Sequence, residues 1–149
     1  MNKFLLAVHV LAAIVAVGPV TVAASMFPPA ARRALSAPDD ARAAETVLLL
    51  HRICKVYAVA GVVVPVFGFA TASNMGVLGD TWLIVSIALT ALAALVLAAL
   101  VLPRQGALVE GGGTREATVR LAMFTGLFNL LWAAVTVLMI VRPGSTTGA

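Results

Sequence analysis

Thr81 to Leu102 reads TWLIVSIALTALAALVLAALVL, an apolar run with no charged side chain, followed at once by Pro103. A helix that crosses a bilayer needs about 20 mostly apolar residues. The run lacks the in–out alternation of a membrane barrel strand, so it reads as a spanning helix. Three further segments of the same kind lie around it. Phe4 to Phe27 ends at Pro28-Pro29, Val47 to Ala72 carries Pro65, and Thr118 to Val141 stops before Pro143. The expected fold is all-α: a four-helix transmembrane bundle, one integral membrane domain over residues 1–149, with spans near 4–27, 47–72, 81–102 and 118–141.

Composition agrees. The chain is 62% hydrophobic and only 11% charged, whereas an ordinary soluble domain carries about 25% charged residues. Too little polar surface exists to coat a water-soluble core of this size, which excludes a soluble enzyme. The net charge of +4 does not indicate nucleic acid, because the basic residues form no patch with interleaved aromatics. The single cysteine, Cys54, excludes an internal disulfide framework. Lysine occurs only at Lys3 and Lys55 and arginine predominates, a bias of GC-rich bacterial genomes.

The basic residues sit where orientation is set. Arg32, Arg33, Arg42, Arg52, Lys55, Arg104, Arg115 and Arg120 belong to the first and third connections and the adjoining helix ends; the opposite side carries Lys3 and Arg142. The positive-inside rule then places those two connections in the cytoplasm and both termini outside a bacterial inner membrane. Trp82 fits an interfacial anchor at the outer end of the third span. Ser36 to Asp40 reads as the start of the second helix, near Pro38, and Thr114 as the N-cap of the fourth. A secretory signal competes for residues 1–24, with Lys3, an apolar core and Val22-Ala23-Ala24 before Ser25. Cleavage there would leave three spans and put Arg32, Arg33 and Arg42 outside, against the charge rule, so the first span is read as retained.

Polar side chains inside a span are costly and mark candidate sites. His9 lies shallowly in the first span, and imidazole is the commonest metal ligand. Met139 shares its expected depth and Met75 lies in the outer connection; His with Met is a known axial pair for heme. On the fourth span Thr125, Asn129, Trp132 and Thr136 fall on one helical face, extended by Thr118. That stripe is either interhelical hydrogen bonding or the lining of a ligand or proton path. His51, Cys54 and Met26 form a lower-ranked set at the cytoplasmic end, of a softness that Cu(I) accepts. Gly18-Pro19 and Pro65 predict kinks. Ala91, Ala94 and Ala98 offer a small-residue face for close packing against a partner or a second copy. No nucleophile triad or paired intramembrane carboxylates occur, and Gly111-Gly112-Gly113 lacks the lysine of a phosphate loop.

The run LAVHVLAAIVAVGP, Leu6 to Pro19, resembles the opening span of a loose group of small bacterial membrane proteins. The group includes copper-resistance D-type proteins, HemJ-type protoporphyrinogen oxidases and uncharacterised four-span families, and this chain looks most like the last. Their first span has a His, then Val/Ile-Leu/Ile-Ala, then a Trp-x-Gly-Gly-like end. His9, Val10, Leu11 and Ala12 match the beginning, while Ala16-Val17-Gly18-Pro19 has no Trp and one Gly. The resemblance implies heme on His9 by the HemJ-type pattern, or copper handling by the other. Three classes are carried forward: a membrane protein binding heme or copper through His9, a noncatalytic accessory subunit or homo-oligomer, and, last, a small transporter.

Overall fold

The computed structural model describes residues 2–144. Among these the structure is helical: α1 (Asn2–Ser36), α2 (Ala41–Ala60), α3 (Val63–Met75), α4 (Thr81–Leu95), a π-helical stretch Val96–Val101, α5 (Leu102–Val109) and α6 (Arg115–Val141). They make four long apolar rods, with α2 and α3 sharing one and α4, the π-helical stretch and α5 sharing another. Each is long and apolar enough to cross a membrane, and the chain is a multi-pass helical membrane bundle. α1 packs along α2 and α3 on one side and against α6 on another, α4 lies against α6, and α5 touches α2.

Prolines decide how the rods depart from the sequence reading. α1 does not end at Pro28-Pro29 but runs on to Ser36. The two rings remove donors to the carbonyls of Ala24 and Ser25, a cost that tertiary packing here offsets. Pro28 is fully buried between Phe27 and Ala31, which are 0% and 2% exposed, and the alanine-rich tail favours helix.

The second rod is interrupted at Gly61-Val62, just before Pro65; both residues keep right-handed helical dihedrals, so the rod continues to Met75. Pro65 has no N–H for the carbonyl of Gly61, so that oxygen accepts instead from Val64 N at 3.1 Å. α3 restarts at Val63 with Pro65 in its first turn, where a missing donor costs nothing. The third rod likewise passes Pro103, which lies within the first turn of α5. Just before it the ladder widens to π spacing, and Leu102 N bonds to Leu97 O, five residues back. α2 starts at Ala41, three residues later than Pro38, because Asp40 is the actual cap and accepts from Arg42 N and Ala43 N. Thr114 caps α6 as expected, accepting from Ala117 N at 3.2 Å.

The main core joins Val20, Ala23, Ala24, Phe27 and Ala31 of α1 to Leu50 and Cys54 of α2, Val96 and Val101 of the third rod, and Leu121 and Phe128 of α6. A smaller cluster of Ala72, Val77, Trp82 and Leu83 closes the opposite end. Trp82 is therefore not a lipid-facing anchor. It is 7% exposed, its indole N–H donates to Asp80 Oδ2 at 3.1 Å, and Arg142 lies 5.6 Å over its ring. The indole satisfies its one donor inside the protein, so it has no need of the headgroup layer.

Candidate functional site

His9 meets α3 just past the interruption of the second rod. Its Nδ1 lies 2.9 Å from the main-chain oxygen of Val64. A carbonyl only accepts, so Nδ1 carries a proton and donates it, and Nε2 is the nitrogen that Val64 does not engage. The ring reaches this position because residue 68 has no side chain. A Cβ on Gly68 would stand 2.7 Å from His9 Cε1 and 3.0 Å from Nδ1. His9 is half-buried, with Val10 and Phe69 beside it in sequence and space turned outward. This is the arrangement that orients a ligating imidazole: one nitrogen held by a carbonyl, the other free.

Met75 and Met139 both pack on the Trp82 cluster. Met75 stands seven residues beyond Gly68, about 10 Å along α3. Among the described residues no three of His, Cys, Asp and Glu converge as a metal site. His9 thus stands as a single candidate ligating side chain, outside any such group among the described residues.

The set of His51, Cys54 and Met26 is rearranged by a residue that the sequence reading passed over. Gln105, 0% exposed, sits between His51 and Cys54. His51 Nδ1 donates to Gln105 Oε1 at 3.0 Å, and Gln105 Nε2 donates to Cys54 Sγ at 3.6 Å. Phe27 meets the His51 ring edge-on, with centroids 6.4 Å apart. Met26 turns away and is 53% exposed. His51 and Cys54 are therefore linked through an amide and Met26 is not part of their group. Gln105 lies beyond Pro103, in a stretch that read as connection; only the continuation of the helix brings it over α2.

The stripe on α6 is divided. Asn129 Nδ2 donates to Ser25 Oγ of α1 at 3.0 Å, an interhelical tie. Thr136 is exposed and bonds its own helix at Trp132 O, and Thr118 does the same at Arg115 O. Thr125 Oγ1 and Asn129 Oδ1 are buried without a hydrogen-bond partner. Ser86, which the sequence reading also passed over, is fully buried and bonds back to Trp82 O at 2.8 Å. Thr118 and Thr125 are buried and Asn129 reaches α1, so the stripe turns inward over these three and outward only at Thr136.

Comparison with family models, with curated proteins and with solved structures finds no match for this chain. The fold and these sites define its class, a multi-pass helical membrane protein with isolated polar groups inside the bundle.

Proposed function

We propose that the protein resides in the bacterial cell membrane, with both termini outside, and binds heme through His9. One observation carries the reading. The Nδ1 bond to Val64 holds the ring against α3 through one nitrogen and leaves Nε2 without that tie. A single imidazole suffices for a five-coordinate heme, whereas copper sites draw on several soft or imidazole ligands. With Met75 and Met139 on the Trp82 cluster, heme is the better fit of the two cofactors. Bound heme would supply a one-electron redox centre. The protein's part is to hold His9 in one orientation, to keep residue 68 small beside the ring, and to offer apolar helix faces to the macrocycle.

The test is the visible spectrum of protein purified in mild detergent and supplemented with heme, oxidised and reduced. His9→Asn is the informative variant. Its amide nitrogen can still donate to Val64 O, so the fold is kept while the ligating nitrogen is lost. A Soret band in the wild type that His9→Asn abolishes without lowering the thermal midpoint supports the reading. A colourless wild type, or a band of equal strength in His9→Asn, sinks it.

A second reading is a noncatalytic subunit or homo-oligomer. The observation favouring it is that Ala91, Ala94 and Ala98 are exposed on the third rod, unused by the bundle's own packing. Small residues let helices approach closely in lipid. Light scattering in detergent distinguishes a dimer that Ala94→Leu disrupts from a monomer that this change leaves alone.

A further inference from the structure

Three arginines from distant parts of the chain meet at one hollow. Arg32 and Arg33, near the end of α1, and Arg115, the first residue of α6, line a cavity of about 660 Å³ with Leu35, Ser36, Gly113 and Thr114. No acidic side chain lines it. The loop Gly113-Thr114 forms its wall and also borders a second hollow of about 240 Å³, where Arg104, Arg120 and Glu116 stand. Arg104 is already engaged, over the ring of Phe124 at 4.5 Å and on Leu100 O at 3.2 Å. The larger cavity has three arginines and no acid in its lining, and the smaller has two arginines with one glutamate.

Its donors suit a phosphate. Guanidinium forks match phosphate oxygens two at a time. The hydroxyl of Thr114 accepts from Ala117 N and still has its own proton to donate. The positive end of the α6 dipole points the same way.

The surroundings suit a lipid. On α6, Val119 and Met123 follow Arg115 at successive intervals of four and are 46% and 69% exposed. On α1, Met26 and Val22 precede Arg33 at helical spacing and are 53% and 58% exposed. Arg33 and Arg115 thus each head an outward apolar row along which an acyl chain can lie. We propose that this cavity binds the phosphate of an anionic phospholipid, held by Arg32, Arg33 and Arg115, with the acyl chains on the two rows. Basic pockets between membrane helices are a recurrent form of headgroup recognition. The site is separate from His9 and does not depend on any cofactor.

Native mass spectrometry of the detergent-purified chain tests it, with phosphatidylglycerol, phosphatidylcholine and inorganic phosphate titrated separately. The variants are R32Q/R33Q/R115Q and, as a control of equal charge change, R42Q/R52Q/K55Q. The expected result is a phosphatidylglycerol affinity at least tenfold above that for phosphatidylcholine, lost in the first triple variant and kept in the control. Equal loss in both variants, or no preference in the wild type, overturns the site in favour of general surface charge. Inorganic phosphate that binds as tightly as phosphatidylglycerol and displaces it overturns the lipid as the source. Circular dichroism on both variants verifies that the helices persist.

Discussion

Gln105 Oε1 accepts a hydrogen bond of 3.0 Å from His51 Nδ1, joining two helices across 54 positions of sequence. The same amide reaches Cys54, so one buried side chain satisfies two polar groups of α2. Removing it leaves both without a partner. A buried polar group left unpaired costs about 1–3 kcal/mol. Gln105→Ala is therefore expected to lower the thermal midpoint in detergent clearly, and to open Cys54, now 0% exposed, to maleimide. Thiol labelling rates of the two proteins measure the second effect; an unchanged rate would mean that the amide does not guard Cys54.

Gly68 and His9 form a second coupled pair. An added methyl at residue 68 would come within 2.7 Å of the imidazole. Gly68→Ala must push His9 off Val64 O, and overpacking of this kind costs about 1–3 kcal/mol. In His9→Ala the space is already empty, so the second methyl should be tolerated there. A double-mutant cycle on thermal stability is expected to show G68A harmful in the wild type and close to neutral in H9A. Additive effects would remove the contact between the two residues.

What could be read in the sequence follows from this physics. Long uncharged runs such as Thr81 to Leu102 have no alternative to a spanning helix, so the fold class was legible. Thr114 was legible as a cap because its role is local. The fate of Pro28, Pro65 and Pro103 was not, because a proline ends, breaks or widens a helix according to what packs around it. Pro28 is buried beside Phe27 and the helix survives, whereas Pro65 leaves Gly61 O without its usual donor and the hydrogen-bond ladder is interrupted there. His9 was visible as a lone imidazole in an apolar run. Its partner was not, since a main-chain oxygen leaves no mark in sequence. Gln105 was missed because Pro103 seemed to end the helix, and Met26 was miscast because helix rotation in a bundle is set by packing.

The Ser25 and Asn129 pair should respond asymmetrically. Asn129 donates to Ser25, but its own oxygen is buried without a partner. Ser25→Ala strips the remaining bond and leaves the whole amide unpaired. Asn129→Leu instead removes the amide and leaves only a hydroxyl, which can turn to a main-chain carbonyl of its own helix. Interhelical bonds in membranes contribute about 0.6 kcal/mol on average. The expected order is that S25A destabilises by about that amount or more, while N129L is neutral or stabilising. Thermal unfolding of both in one detergent decides it; a larger loss in N129L would show that the orphaned oxygen has a partner worth keeping.

The charge distribution makes the orientation testable on two exposed positions. Asn74 lies at the end of α3, and Glu110 follows α5 on the arginine-rich side. Both are exposed, so cysteines placed there should react freely. Cys54 must first be replaced by serine so that the introduced thiol is the only one. Lysine and arginine near short loops resist translocation, and eight of the ten basic residues fall on the Glu110 side. A membrane-impermeant maleimide applied to intact spheroplasts is expected to label N74C and not E110C, and to label both after permeabilisation. The reverse pattern would put the arginine-lined cavity outside the cell. Equal labelling of both sites in intact spheroplasts would indicate dual insertion, in which the bias of Arg32, Arg33, Arg104 and Arg115 is too weak to choose a direction.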